Sequence, residues 1–242
     1  MLIELVSQHA GKTADVRLKH VIQIINNSTA DLIVFAGHAL IRKKDVSSLR
    51  RALKNNTSAV LLETKEGGNH LYRIESGKII DLNTHQVFKT SDEINKEPQK
   101  ADALLNELES NRCFDVKGRK CLVLQCGELN ILRNYQSDGN RVAFRFDNTP
   151  ELEKRFFKLI EQSDIILNPI HKPMGNQGKL SKRRITLSDD GRAYFSTCNA
   201  LTGDSLSLKQ KSLQYATVNG KDYPESESVQ FGRSYIIRTY EL

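Results

Sequence analysis

Short apolar runs bounded by polar residues recur along the chain, and early in the sequence they alternate with segments of helical periodicity. LIELV opens the chain and ADLIVFAG spans residues 30–37, with apolar residues at helical spacing over 13–28 between them. A short run that is apolar throughout is typical of a strand buried on both faces. With a further helix predicted over 45–55, the order strand, helix, strand, helix favours an α/β fold.

The middle of the sequence departs from this alternation and the second half returns to it. Strands are predicted over 58–64, 70–77 and 78–83, with glycine-containing turns between them, and a helix over 99–110 lies within the polar segment 84–118. Further strands are predicted over 120–126, 164–169, 191–199, 213–218 and 234–242, with helices over 150–162 and 178–190. This order predicts a layered α/β architecture in which two sheets lie between helices.

Size and hydropathy bound the class of protein. A chain of 242 residues with 38% hydrophobic content can bury a full core, so we expect one domain over 1–242. Its longest apolar runs are far shorter than the ~20 residues of a membrane helix, and MLIELVSQHAGK lacks the pattern of a signal peptide. These features predict a cytoplasmic protein with no membrane partner.

The four cysteines, at positions 113, 121, 126 and 198, include no CxxC pair. They are too sparse for a disulfide framework or a zinc site of paired cysteines, and they fit reduced thiols. A buried structural thiol is the commonest fate of a free cysteine. We expect that fate for Cys113, Cys121 and Cys198, whereas Cys126 ends an apolar run and is followed by Gly-Glu.

The net charge of +7 raises the question of nucleic acid, because phosphate contacts depend on clustered lysine and arginine. The cluster at 41–56 fits an amphipathic helix whose basic face is in water. The cluster at 171–184 follows a predicted strand and is the better candidate for a binding surface. Nucleic acid is therefore a less favoured partner than a small molecule.

Reactive groups in α/β sheets collect at the carboxyl ends of strands. The residues that follow each apolar run are listed here: Ala36-Gly37-His38, Glu63-Thr64-Lys65, Cys126-Gly127-Glu128, Asn168-Pro169-Ile170-His171 and Cys198-Asn199. Among them are two thiols, two histidines and two carboxylates, which are the side-chain types of nucleophilic and acid–base catalysis.

These strand ends, in this order, resemble the carbon–nitrogen hydrolase (nitrilase) superfamily. ADLIVFAG looks like the family strand DLIVFPE, HQVFKTSDE like the segment holding the family lysine, and GRKCLVLQCGELN like the strand that delivers the family cysteine. SDIILNPIH is similar to the family strand DLILNP, and AYFSTCNA to a late strand ending in asparagine. The resemblance covers most of the chain and implies a four-layer αββα sandwich.

The family chemistry uses a Glu-Lys-Cys triad and needs no cofactor or metal. The resemblance implies that Cys126 is the nucleophile and that Lys89 stabilises the tetrahedral intermediate. This assignment agrees with general chemistry, because a nearby ammonium both favours the thiolate and stabilises an oxyanion.

The family glutamate has no counterpart, because Ala36-Gly37 stands where the family has Pro-Glu. Three explanations stay open. His38 takes the role of the base, or Glu63 or Glu128 supplies a carboxylate from another direction. In the third, the site is degenerate and the fold serves binding.

The loop after DIILNP is expected to border the mouth of the site. We predict that Asn168, His171 and Lys172 contact the substrate. A rim of one charge sign attracts an oppositely charged ligand into a cleft. The following cations would give such a rim, which would suit an anionic substrate: Lys172, Lys179, Lys182, Arg183 and Arg184.

The sequence therefore predicts a hydrolase of a non-peptide carbon–nitrogen bond, an amide rather than a nitrile, acting through Cys126 and a thioester. The resemblance also implies a homodimer. The alternative is a catalytically degenerate nitrilase-like module that binds an anionic small molecule, nucleic acid or a protein.

Overall fold

The computed structural model describes residues 1–54 and 57–242. Its helices are α1 (Ala14–Asn27), α2 (Asp45–Ala52), α3 (Glu66–Asn69), α4 (Ser91–Lys96), α5 (Lys100–Asn111), α6 (Pro150–Glu161) and α7 (Gln177–Leu187). Its strands are β1 (Leu2–Gln8), β2 (Leu32–Phe35), β3 (Ala59–Thr64), β4 (His70–Glu75), β5 (Lys78–His85), β6 (Cys113–Val116), β7 (Arg119–Val123), β8 (Leu132–Tyr135), β9 (Arg141–Phe144), β10 (Ile165–Ile170), β11 (Ala193–Cys198), β12 (Gln214–Val218), β13 (Lys221–Asp222), β14 (Glu227–Phe231) and β15 (Tyr235–Glu241).

The strands form two large sheets and one small hairpin. The first sheet has the order β14-β15-β1-β2-β3-β4-β5, the second has the order β13-β12-β11-β10-β7-β6, and β8 pairs with β9. The centres of both sheets are parallel: β1, β2 and β3 in the first, and β7, β10 and β11 in the second. Parallel neighbours direct their carboxyl ends to the same edge, so each sheet collects polar side chains there.

Three hydrophobic clusters show how the elements pack. One joins the two sheets face to face through residues such as Leu5, Val34, Val123 and Phe195. A second packs α1 and α2 on the other face of the first sheet, and a third packs α5, α6 and α7 on the outer face of the second. Because alternate strand residues face opposite sides, these strands are buried on both faces and lie between helices.

The secondary structure agrees with the sequence prediction at most of the elements it named. Helix α6 begins with Pro150 in its first turn, and its apolar face packs Phe156 into the core. Helix α2 ends at Ala52, and residue 55 of the predicted helix lies outside the described residues. The sequence analysis did not predict β6, the hairpin of β8 and β9, β13, β14 or the short helix α4.

One boundary differs at the predicted nucleophile. The expected strand through Cys126 ends earlier, at Val123, and a short 3-10 helix covers Cys126–Ile131. The carboxylate of Glu128 accepts the backbone N–H of Gln125 at 2.8 Å, and this bond stabilises the turn from strand to helix. Among the described residues, no helix is both long and apolar enough to cross a membrane.

Candidate active site

Cys126 lies in the turn that follows β7 and has a φ of 35°, in the left-handed region. A non-glycine residue in this region is uncommon and is often held there at functional sites. The residue is partly buried and its thiol is free. The backbone thus holds the thiol at the edge of the sheet in a conformation that the surrounding hydrogen bonds must stabilise.

Gly127 lets the segment that contains Lys89 approach the nucleophile. A Cβ on Gly127 would lie 1.7 Å from the backbone oxygen of Lys89, which leaves no room for any side chain there. The side chain of Lys89 is exposed and lines the same cavity as Cys126. The structure therefore brings Cys126 and Lys89 to one site.

Glu63 is the centre of the hydrogen-bond network beside Cys126. It is the penultimate residue of β3 and its side chain is fully buried. Its Oε1 accepts from the backbone N–H of His38 at 2.9 Å and pairs with Nε2 of His171 at 2.7 Å. Its Oε2 accepts from Nε2 of Gln125 at 2.7 Å. Each of these bonds fixes the direction of the carboxylate, so Glu63 is held in place from three sides.

His171 connects this carboxylate to the thiol. Nε2 of its ring is hydrogen-bonded to Glu63, and the ring is close enough to the Cys126 thiol for that thiol to affect its pKa. Burial lowers the pKa of His171, but the hydrogen bonds to Cys126 and Glu63 and the negative charge of both groups outweigh burial and raise the pKa to about 10. At neutral pH the His171 ring is therefore protonated, and it lies between the carboxylate of Glu63 and the sulfur of Cys126.

Gly37 provides the space for the His171 ring. A Cβ on Gly37 would lie 2.2 Å from Cδ2 of His171 and 2.9 Å from its Nε2. This is the position at which the resemblance places the family glutamate. The ring of His171 thus fills the space that a side chain at position 37 would enter.

His38 stacks on His171, with ring centroids 3.8 Å apart and an angle of 12° between the planes. Its Nε2 pairs with Oδ1 of Asn69 at 2.8 Å, and it lies 3.7 Å from Oε1 of Glu63. Burial and the charge of His171 lower the pKa of His38 to about 4, against the opposing effects of Glu63 and Asn69. His38 is therefore neutral at pH 7 and packs on the charged ring.

Glu128 faces away from this network. Its Oε2 forms a fully buried ion pair with Nη1 of Arg112, and its Oε1 accepts the backbone N–H of Val87 at 2.7 Å. Arg112 also donates from Nε to Thr84 at 2.9 Å and from Nη2 to the carbonyl of His85 at 2.6 Å. Glu128 thus joins the turn at Cys126 to the end of β5.

Two buried asparagines, Asn168 and Asn199, hold the backbone of the site through side-chain hydrogen bonds. Asn168 donates from Nδ2 to the carbonyls of Leu124 and Cys126, the latter at 3.4 Å, and accepts from the hydroxyl of Tyr194 at 2.8 Å. Asn199 donates to the carbonyls of Gly37 at 2.6 Å and His171 at 3.2 Å. Both side chains therefore fix the backbone that carries the reactive groups.

A cavity of about 540 Å³ opens on Cys126. Its lining includes six cationic side chains and, within the described residues, no carboxylate. The cations are Lys89, Arg133, Arg145, Lys172, Lys179 and Arg183. They come from the loop after β5, the hairpin of β8 and β9, the loop after β10 and helix α7.

His38, Glu63 and His171 also form the one cluster of candidate metal ligands among the described residues, with ligand atoms within 4.8 Å of one another. An imidazole nitrogen binds an ion in the plane of its ring, at ~2.0–2.1 Å for zinc. Since the two rings are stacked almost parallel, one ion cannot lie in both planes. The arrangement thus fits proton transfer better than metal binding.

The structure brings most of the predicted site residues together. Cys126, Glu63, His38 and His171 meet at one point, and Lys89 and Lys172 line the cavity beside them. Asn168 supports the cysteine turn, and Glu128 pairs with Arg112.

The sequence analysis did not single out Asn69 and Gln125, which belong to the hydrogen-bond network, nor Arg112 beside Glu128, nor Arg145 in the cavity wall. In the sequence, the only signal for His171 was its position in the loop after β10. In the structure, the end of β10 lies beside the end of β2, which belongs to the other sheet.

Comparison of the sequence with protein-family models and with curated proteins gives no match. The structure, however, is similar to solved structures over almost its whole length. One is a carbon–nitrogen hydrolase superfamily protein from Xanthomonas campestris with an arsenic adduct in its active site, at TM-score 0.54 and 11% identity, covering 100% of this chain and 90% of that one.

Two further structures extend the likeness. The amidase from Nesterenkonia sp. AN1, in a mutant with the acetamide moiety of fluoroacetamide added to its active-site cysteine, has TM-score 0.55 and 11% identity, covering 99% of this chain and 89% of that one. A glutamine-dependent NAD(+) synthetase from Cytophaga hutchinsonii has TM-score 0.53 and 10% identity, covering 99% of this chain and 43% of that one. The chain therefore has the α/β fold of carbon–nitrogen hydrolase superfamily structures, in agreement with the resemblance seen in its sequence.

Proposed function

We propose that this protein is a carbon–nitrogen hydrolase that cleaves a non-peptide amide bond through Cys126. The observation that carries the proposal is the series Cys126, His171, Glu63 beside the cavity, in which the His171 ring is hydrogen-bonded to Glu63 and interacts with the Cys126 thiol. A nucleophile, a base within hydrogen-bond reach and a third group that orients the base make up the usual arrangement of nucleophilic catalysis. His171 here takes the task of the missing family glutamate.

In the first half of the reaction, His171 holds the proton of the Cys126 thiol, and the thiolate attacks the amide carbon. A carbon–sulfur bond forms, and the carbonyl π electrons move to oxygen to give a tetrahedral oxyanion. The ammonium of Lys89 stabilises this oxyanion. When the intermediate collapses, the carbon–nitrogen bond breaks, the leaving nitrogen takes the proton from His171, and a thioester remains on Cys126.

In the second half, water replaces the amine. His171, now neutral, accepts a proton from the water while the water oxygen attacks the thioester carbon. Collapse of the second tetrahedral intermediate breaks the carbon–sulfur bond and releases the carboxylic acid. The thiolate and the protonated His171 are restored. Glu63 stabilises the charged ring throughout and keeps it in one orientation.

His38 and Gln125 are positioning residues in this mechanism. Gln125 holds Oε2 of Glu63, and His38 covers one face of the His171 ring. Because the pKa of His38 lies near 4, it stays uncharged and does not compete for the proton. The carboxylate therefore directs its charge to His171.

The test is ammonia release from a panel of simple aliphatic amides, combined with mass spectrometry of the quenched protein. We expect ammonia release and an acyl adduct on the peptide that contains Cys126. Cys126→Ala should abolish both, and Cys113→Ala should retain both. A protein that releases no ammonia and forms no adduct with any amide would contradict the proposal and favour the degenerate binding module.

We also propose that the chain forms a single nitrilase-like domain and a homodimer. The first is supported by the hydrophobic cluster that joins the two sheets, and the second by the resemblance. Light scattering at several protein concentrations tests the dimer, since a constant monomer mass would contradict it.

A further inference from the structure

Two buried guanidinium groups in the wall of the cavity have no carboxylate partner among the described residues. Arg145 follows β9 and is 8% exposed, and Arg183 lies on α7 and is 7% exposed. Buried charges are usually paired, because leaving water costs an unpaired charge several kcal/mol. Both side chains line the cavity that contains Cys126.

The hydrogen bonds of these groups go to neutral acceptors only. Arg183 donates from Nε to Oδ1 of Asn134 and from Nη1 to Oδ1 of Asn130, both at 2.9 Å. Arg145 donates from Nη1 to Oδ1 of Asn95 at 3.2 Å and also to the carbonyls of Asn130 and Leu132. These amide and carbonyl oxygens hold the guanidinium groups in position without neutralising them.

The rest of the cavity adds charge of the same sign. Of its six cations, only Arg133 forms an ion pair with a carboxylate of the described residues, that of Asp147. Burial and the charge of Arg145 lower the pKa of Arg183 to about 10, and burial and the charge of Arg133 lower that of Arg145. The cations thus repel one another across the cavity.

At Arg183, Nε and Nη1 are occupied, and no described acceptor binds Nη2. A guanidinium group has five N–H donors in a planar fork that suits a carboxylate or a phosphate. The free donors, the missing counter-charge and the adjoining cavity together describe a site for an anion.

We propose that the substrate carries an anionic group, a carboxylate or a phosphate, at the end remote from the scissile bond, and that Arg145 and Arg183 bind it. Lys172 and Lys179 strengthen the positive field at the cavity. This inference rests on the proposed hydrolase function for its substrate, although anion binding can be measured without turnover. The cavity volume suits a small molecule better than a polymer.

The first experiment compares butyramide with its ω-carboxylate and ω-phosphonate analogues, which differ at the remote end. Since a charge-assisted hydrogen bond favours the charged ligand by about 10- to 100-fold, we expect kcat/KM to be higher by about that factor for one anionic analogue. The preferred analogue distinguishes a carboxylate from a phosphate. Equal kcat/KM for all three amides would overturn the inference and leave the hydrolase proposal intact.

Variants on one helix provide the control. Arg183→Gln should remove most of the preference for the anionic amide. Lys182→Gln should retain it, because the structure places Lys182 on the exposed surface outside the cavity lining and not in the cationic rim that the sequence predicted. Lys179→Gln is the second variant, because Arg183 also supports the fold through Asn130 and Asn134. A preference unchanged in both cavity variants would contradict the assignment.

The second experiment does not depend on turnover. The melting temperature of the Cys126→Ala protein is measured with succinate, inorganic phosphate or neutral 1,4-butanediol at constant ionic strength. We expect an anion to raise it, and Lys179→Gln to reduce the rise while Lys182→Gln does not. A rise in this variant, together with no amide hydrolysis by the unmodified protein, would support the anion site and refute the hydrolase function. No difference between the anions and the diol would refute the anion site.

Discussion

Oε1 of Glu63 lies 2.7 Å from Nε2 of His171, and the same oxygen accepts the backbone N–H of His38 at 2.9 Å. The carboxylate thus joins the ends of two strands that belong to different sheets. The network is buried and extends to Cys126. Its members can be tested by one substitution at a time.

Cys126 should be the most reactive of the four thiols. Burial raises the pKa of Cys121 and Cys198 to about 12. Cys113 is exposed and not buried as the sequence analysis expected, but desolvation of its thiol also raises its pKa, so all three thiolate forms are scarce at pH 8. We expect iodoacetamide to label Cys126 first, as measured by mass spectrometry of peptides over time. Equal labelling of Cys113 and Cys126 would contradict the assignment.

Replacement of Glu63 by glutamine should lower kcat/KM for an amide by about 10²- to 10³-fold, in the range of a lost acid–base contribution. The substitution keeps the shape and removes the charge, so the pKa of His171 should fall. The pH dependence of activity and of Cys126 alkylation measures both effects. Glu161→Gln, at an exposed position on α6, is the control and should be unchanged.

A methyl group on Gly37 should displace the His171 ring. Gly37→Ala places its Cβ 2.2 Å from Cδ2 of that ring, and a shift of about 1 Å in a catalytic group costs about 10²-fold in rate. We expect a loss of that order in kcat/KM with the fold retained. Gly203→Ala, where nothing lies within 4 Å of the new Cβ, serves as the control. Full activity of Gly37→Ala would exclude His171 as the base.

Glu128 should matter for stability. Since Glu128→Ala leaves Arg112 buried and unpaired, we expect the free energy of unfolding to fall by about 3–5 kcal/mol. Urea denaturation measures it. Glu109→Ala removes an exposed ion pair with Arg155 and should cost less than about 1 kcal/mol. Similar losses for both variants would argue against the structural role of Glu128.

The stacked histidines should give stability a maximum near neutral pH. The pKa of His171 is raised from 6.5 to about 10, so its contribution is complete below pH 6.5 and is lost as the pH rises through 10. The pKa of His38 is lowered from 6.5 to about 4, so stability falls as the pH drops between these values.

Urea denaturation between pH 4 and 10 checks both limbs of this profile. His171→Gln should flatten the alkaline limb, and His38→Gln should flatten the acid limb. A profile that is the same in the two variants and the unmodified protein would contradict the assignment of the limbs.

The sequence was informative wherever the relevant interactions are local. The buried strand β2 and the first three residues of β10 are continuous apolar runs, so these strands could be predicted, and Cys126 could be placed near the end of another such run. Helix α6 was predictable from Pro150 and its apolar face. In contrast, β14 lies at a sheet edge and alternates partly buried with exposed residues, so its sequence has no continuous apolar run that would predict a strand.

The base was harder to predict, because its contacts join distant parts of the chain. His171 was assigned to the substrate because it follows β10, and nothing in the sequence states that this strand end lies against Gly37. The hydrogen bond from the backbone N–H of Gly37 to the carbonyl of Ile170, at 3.1 Å, forms only when the two sheets pack. Tertiary packing therefore brings to the thiol a residue, His171, that was not among the candidate bases of the sequence analysis.

The close fit of the His171 ring against Gly37 has a consequence for the descent of this chain. A side chain at position 37 and the ring at position 171 exclude each other in this arrangement, so a glutamate placed at position 37 by one substitution would clash with that ring. Among relatives the two positions should therefore covary, with a residue larger than glycine at the first only where the second is not histidine.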